Sequence, residues 1–259
     1  MTPAELSEYH EKGYIALRRV FPAVEMDAVR KELERVWEDS HRVLAEDDLR
    51  VQKRPHTSGG EIIDRFDPIS DLSPLLRSLL TDERLLAPLR QIFAGDVMPF
   101  KDKFIYKASG TQGYKIHQDY TYWLELPAPP EALLTAVVAV DAADAENGAL
   151  EFYPGMHRGH LRSNETPKDI FNPEKGLLPA ELLEGRTAEM ITVDPGDVIV
   201  FGSLVPHQSG INHSNRSRRF LFYSYSAASY GDLREIYYRN LYDYLRKDRA
   251  SVGDAAEKT

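Results

Sequence analysis

The chain of 259 residues contains no cysteine. That excludes disulfides, thiolate nucleophiles and cysteine-ligated zinc or iron–sulfur sites, so any metal must be held by nitrogen and oxygen. Also missing is any run of roughly twenty uninterrupted apolar residues. The N-terminus, Met-Thr-Pro-Ala-Glu-Leu-Ser-Glu-Tyr-His, has no basic segment leading into an apolar one. Neither a membrane span nor a secretory leader is read here, and a cytoplasmic protein is expected. An excess of positive charge is lacking as well: Lys plus Arg total 32 against 41 for Asp plus Glu, a formal charge of −9. With no basic run to offset it, this balance argues against nucleic acid or an anionic membrane as partner. Internal repeats and low-complexity segments are absent.

What is present suffices for one large domain over 1–250, with 248–259 expected as a flexible tail. Hydrophobic residues make up 42% of the chain and aromatics 10%, enough for a substantial core. Residues 1–95 read as helical. Thr2, Pro3 and Glu5 have capping-box spacing and Gly13 is a stop, which predicts a short first helix. Tyr14 to Phe21 reads as a strand. After Pro22, the apolar residues Met26, Val29, Leu33, Val36, Trp37 and Leu44 follow three- and four-residue steps and predict a helix lying on a sheet. Glu46 to Gly60 is polar and reads as a surface loop, and Leu72 to Phe93 as one or two leucine-rich helices.

From about 96 to 228 the texture changes to short β-rich runs: Met98–Ala108, Leu133–Val140, Ala149–Tyr153, Thr187–Val193, Val198–Phe201 and Phe220–Tyr225. Turn signals at Ser109-Gly110, Asn147-Gly148, Pro154-Gly155 and Pro195-Gly196-Asp197 separate them. Such punctuation predicts a mainly β jelly roll, a double-stranded β-helix core flanked by N- and C-terminal helices. A closing helix over about 230–247 carries Tyr237, Tyr238, Leu241 and Tyr244, expected to pack on the barrel or a second subunit, so a homo-oligomer is an open expectation.

Among eight histidines, His117 and His207 stand out. His117 lies two residues before Asp119, and on a strand positions i and i+2 face the same side, presenting both groups to one ion. Two imidazoles and a carboxylate are the set that holds non-haem Fe(II) on one face and leaves positions open for substrates and oxygen. The third ligand must come from a distant strand, and His207 is the candidate.

In this region the chain resembles the phytanoyl-CoA dioxygenase-like family of Fe(II)/2-oxoglutarate-dependent oxygenases. The resemblance is carried by His117-Gln-Asp119-Tyr-Thr-Tyr-Trp123, by Asp144-Ala-Glu-Asn147-Gly148 through Pro154-Gly155-Met-His157-Arg-Gly159, by Pro195-Gly-Asp-Val-Ile-Val-Phe, and by His207-Gln-Ser209-Gly-Ile-Asn followed by Arg218. These blocks stand in the family's order over about Lys103 to Ser226. Gln208 and Met156 depart from its pattern, where glycine or serine is usual. The resemblance implies that His117, Asp119 and His207 hold Fe(II), which binds 2-oxoglutarate and O2. It also implies that Arg218, with Ser209, clamps the far carboxylate of 2-oxoglutarate, a task suited to the always-charged, two-pronged guanidinium. Arg219 is the fallback clamp.

The same resemblance places cosubstrate or substrate contacts near Lys103 and Trp123. By strand direction, Lys103, Ile105 and Lys107 share a face and so do Thr135 and Val137, which makes Lys103 and Thr135 candidate cosubstrate contacts. Tyr120, Tyr122 and Trp123 form an aromatic cluster, with Tyr120 and Trp123 taken as candidate substrate contacts and core packing as the alternative. Arg158 to Arg186 is long for a strand connection and reads as a lid. The implied activity is hydroxylation of a small molecule in specialised metabolism or catabolism, since Asp119 retains the carboxylate that related halogenases lack. The acidic total leans toward neutral or cationic substrates over CoA thioesters. Two other readings are a non-catalytic ligand-binding jelly roll and a metal-dependent hydrolase or isomerase on the same fold.

Overall fold

A computed structural model describes residues 1–44, 48–159 and 177–256. Two antiparallel sheets face each other. The larger has seven strands in the order β1-β9-β6-β11-β4-β3-β2, and the smaller has four, β5-β10-β7-β8. In chain order these are β1 (Tyr14–Leu17), β2 (Val51–Pro55), β3 (Glu61–Phe66), β4 (Val97–Lys107), β5 (Tyr114–His117), β6 (Leu133–Ala139), β7 (Leu150–Phe152), β8 (Glu189–Ile191), β9 (Val198–Gly202), β10 (His207–Ser209) and β11 (Arg218–Ala227). The helices are α1 (Pro3–Lys12), α2 (Ala23–Val43), α3 (Pro74–Leu79), α4 (Glu83–Phe93) and α5 (Arg234–Ala256). No helix among the described residues is long and apolar enough to cross a membrane.

Three apolar clusters explain the layering. Between the sheets, Ile105, Val137, Phe152, Phe201, Phe220 and Phe222 interdigitate. On the outer face of the large sheet, Phe66, Phe104, Leu221 and Tyr223 meet the stripe of Met26, Val29, Leu33 and Val36 on α2 and the leucines of α3 and α4. A third cluster joins Phe100, Trp123 and Leu133 to Tyr237, Tyr238 and Leu241 of α5. Every residue of β6 is buried, because both of its faces are covered. This accounts for its unbroken apolar sequence.

Most local readings hold. The capping box at Thr2 and Glu5 is formed, and Gly13 ends α1 at a left-handed φ of 87°. Three differences have physical causes and a fourth is one of extent. β1 stops at Leu17 because Arg19 takes a positive φ of 53° while its N–H donates to Asp197 at 2.8 Å. Glu46 to Gly60 is not simply a loop: β2 and β3 form a hairpin at the edge of the large sheet. Its Gln-Lys-Arg core carries the charge expected of an edge strand rather than apolar alternation. β5 and β10 are too short to show a period. Finally, α5 runs on to Ala256, past the end expected near 247.

Candidate active site

The spacing of about ninety residues between the histidines is closed by strand pairing: β5 and β10 are antiparallel neighbours with His117 directly opposite His207. Their ring centroids are 4.3 Å apart. Asp119 is reached differently from the strand expectation, because β5 ends at His117 and Asp119 opens a short 3-10 helix, Asp119–Tyr122. Gln118 between them is still extended, so the alternation of sides survives. The Gln118 amide turns the other way and donates to the carbonyls of Leu204 and Gly159, at 2.6 and 2.9 Å.

The three donors converge. Asp119 Oδ1 lies 3.5 Å from His117 Nε2 and 3.9 Å from His207 Nε2, and one donor atom from each residue falls within 4.8 Å of the others. Both rings are oriented by backbone carbonyls, His117 Nδ1 by Lys115 at 2.8 Å and His207 Nδ1 by Val205 at 3.0 Å. Donation from Nδ1 leaves the Nε2 lone pairs for a metal, the arrangement usual behind metal-bound histidines. Burial, then the charge of His117, lowers His207 to about 4, so it is a neutral donor at pH 7. Burial alone would raise Asp119, but His117 and His207 beside it hold its carboxyl well below the usual range. These residues fit a divalent cation bound by two nitrogens and one oxygen.

Thr135, expected at the cosubstrate, stands instead behind Asp119. Its hydroxyl is 3.4 Å from Asp119 Oδ2 and 2.9 Å from Ser224 Oγ, and the residue is 1% exposed. Trp123 is in the α5 cluster, edge-on to Phe100 at 5.1 Å, and Tyr120 packs against the same cluster. Neither lines the cavity; of the three aromatics, Tyr122 does, with its ring 5.7 Å from that of His117.

Arg218 and Arg219 point to opposite faces of the sheet. Arg219 pairs with Asp141 at 2.9 Å and Glu34 at 3.0 Å on the outer side. Arg218 is 1% exposed, opposite Lys107 in register. Its Nη1 donates to Gly148 O at 2.5 Å and its Nε has no partner. Asp64, whose charge reaches Arg218, is already engaged by Arg54 at 3.0 Å and by the Tyr114 hydroxyl at 2.6 Å. Arg218 is thus a buried cation supported mainly by a neutral carbonyl. Lys107 beside it donates to Ser209 Oγ at 2.8 Å and Gly210 O at 2.6 Å. Burial, then the charge of Arg218, lowers Lys107 to about 5.

A cavity of about 1260 Å³ opens beside His117 and Asp119. Lys53 and Arg54 of the hairpin line it, with Arg65, Lys101 and Lys103 on the sheet, Lys115 of β5, and Tyr237, Leu241, Tyr244 and Leu245 of α5. Ser209 also reaches it. Six Lys and Arg side chains stand in this lining beside Glu61, Asp67, Asp119 and Glu151, a distribution that net charge does not reveal. Arg65 and the hairpin were missed because no period marked them. Lysines at 101, 103 and 107 on a strand were the available signal. Of the expected lid, 160–176 lie outside the described residues; Leu177, just beyond, bridges to His117 and lines the cavity.

Residues 9–220 match the family described as Phytanoyl-CoA dioxygenase (PhyH). The chain belongs to this family. With its His–Asp–His cluster it is an Fe(II)- and 2-oxoglutarate-dependent dioxygenase. The dioxygenase is 29% identical over 244 residues to methylphosphonate hydroxylase of Gimesia maris, covering 92% of this chain and 85% of that one. It is 27% identical over 183 residues to a 2-aminoethylphosphonate dioxygenase from an uncultured bacterium, covering 71% and 66%. Among solved structures, EctD from S. alaskensis with 2-oxoglutarate and 5-hydroxyectoine superposes with a TM-score of 0.74 at 24% identity, covering 88% of this chain and 77% of that one.

Proposed function

We propose that the dioxygenase hydroxylates a C–H bond of a small organophosphonate. His117, Asp119 and His207 would hold the iron, while Arg218 and Ser209 would take the far carboxylate of 2-oxoglutarate. When bound, the iron supplies oxygen activation coupled to decarboxylation of 2-oxoglutarate to succinate. The protein's own residues orient the donors, present a cation to each anion and exclude water. The observation that carries this reading is the convergence of the three donors beside a cavity whose lining holds six Lys and Arg side chains against four carboxylates. Two of the relatives above carry phosphonates in their names, which fits such a lining.

Retention of Asp119 favours oxygen transfer over halogenation, because the carboxylate occupies the place a halide would need. Arg218 argues against a bare metal-binding or hydrolytic jelly roll, which has no use for an unpaired buried guanidinium. The test has two stages. Anaerobic Fe(II) and 2-oxoglutarate should give a visible charge-transfer band, absent in Asp119→Ala. Succinate release on a phosphonate panel should then be accompanied by a product hydroxyl labelled from ¹⁸O₂. Turnover without label would point to desaturation, cyclisation or epimerisation, and a colourless mixture would reject the oxygenase.

A further inference from the structure

We infer that Arg65, Lys101 and Lys103 form the head-group site of the substrate, built for a tetrahedral oxyanion and distinct from the site of 2-oxoglutarate. The inference rests on the oxygenase reading and specifies which residues recognise what. Arg65 of β3 is paired with Ile105 of β4, and Lys103 and Lys101 precede Ile105 by two and four residues. Alternation therefore puts all three cations on one face of the sheet, and all three line the cavity. The intervening residues Asp102 and Phe104 serve the other face: Phe104 lies in the helix-side cluster, and Asp102 binds Ser70 and Arg234.

This cluster is separate from the pair assigned to the cosubstrate. Lys107 and Arg218 stand at the far end of the β4–β11 ladder, four residues from Lys103, about 13 Å along the strand. Neither Lys107 nor Arg218 lines the cavity; both are buried, with Lys107 holding the hydroxyl of Ser209, which does line it.

The near cluster holds more basic groups than carboxylates: Asp67 reaches all three, and Asp64 reaches Arg65 while also engaged by Arg54. Lys103 has no hydrogen bond or ion pair among the described residues, and the Phe222 ring lies 4.8 Å from its Nζ. Arg65 Nε is buried without a partner. Lys101 has one carboxylate, Asp67 at 3.9 Å, which also accepts from the Tyr238 hydroxyl at 3.1 Å. Asp119 is committed to the metal. Burial holds Lys101 below its usual range and Lys103 at about 7, so an arriving anion would draw their protons back, and donors from three side chains can meet the three oxygens of a phosphate-like head. A carboxylate, with two oxygens, would leave one of the three donors unmet in a desolvated wall, which is costly.

The placement also suits the reaction. Lys101 is opposite Ser224 and Ser224 opposite Thr135, whose hydroxyl reaches Asp119. A head group seated on the lysines lies beside the metal donors, presenting the carbon next to phosphorus to them. Tyr122, Leu241 and Leu245 remain for the rest of the molecule.

The test is calorimetric titration of methylphosphonate, inorganic phosphate and acetate into the anaerobic Fe(II)/2-oxoglutarate enzyme. Methylphosphonate and phosphate should bind at least tenfold more tightly than acetate. Lys103→Met, Lys101→Met and Arg65→Met should each weaken methylphosphonate at least tenfold while changing the Kd of 2-oxoglutarate less than threefold, and Lys103→Arg should restore most of the affinity. Lys103→Met removes a buried basic group with no ion pair among the described residues and should melt no lower than wild type, whereas Lys101→Met and Arg65→Met leave Asp67 less compensated and should melt lower. Unchanged phosphonate affinity in the variants, or a loss falling on 2-oxoglutarate instead, would overturn the assignment. If the wild type forms its charge-transfer band but binds acetate as well as phosphonate, the head-group site fails and the oxygenase stands. If the band never forms, the oxygenase reading fails, and the calorimetry still decides the anion site.

Discussion

At the scale of single residues, buried basic side chains govern this site. Burial holds Lys107 at about 5 against 10.5 in an exposed chain. Between those two pH values the unfolded chain carries a proton that the folded chain lacks, so raising the pH favours the fold. Wild-type stability should therefore rise from pH 7 toward pH 10. In Lys107→Met the rise should be shallower by one proton, about 1.4 kcal/mol per pH unit, as read from urea midpoints. An identical slope in both proteins would mean that Lys107 is charged in the folded state. Lysines at 103 and 107 were legible as sharing a face, and Arg218 as the inward arginine was expected over Arg219. That Thr135 backs Asp119, and that Trp123 is core, were not legible. Both depend on which neighbour the side chain meets across the sheet.

At the scale of elements, the site is a strand pair with an unusually close approach. A Cβ on Gly113 would lie 2.2 Å from Ser209 O, so β5 and β10 can come together there only because the residue has no side chain. The His117–His207 register depends on the same pair. Gly113→Ala should push the strands apart, weaken Fe(II) affinity more than tenfold and cost about 1 to 3 kcal/mol, measurable by metal titration and denaturant melts. Retention of both would show that the strands can shift without disturbing the donors. β5 and β10 went unread because elements of three or four residues are too short for a period to emerge. The hairpin β2–β3 went unread because an edge strand lining a polar cavity is selected for charge, not for alternation.

At the scale of the whole molecule, folding would position the two proposed anion sites and the metal site inside a chain whose net charge is −9. Their occupants should stabilise the fold they complete. With metal present, 2-oxoglutarate at one hundred times its Kd should add about 2.7 kcal/mol, seen as a rise in melting temperature under anaerobic conditions. The rise should vanish in Asp119→Ala, where chelation is lost. Stabilisation by 2-oxoglutarate that is equal with and without metal would place its binding elsewhere.

The amino-acid order alone determined the jelly-roll class and the donor types, because these follow from turn spacing and residue chemistry, whereas Arg218 over Arg219 was expected from the family resemblance. Only the tertiary structure decided that His117 faces His207, that the polar segment before residue 60 closes over the cavity, and that cations cluster in an acidic protein. Each of those is a juxtaposition of segments far apart in the chain, set by strand pairing and burial rather than by any local pattern.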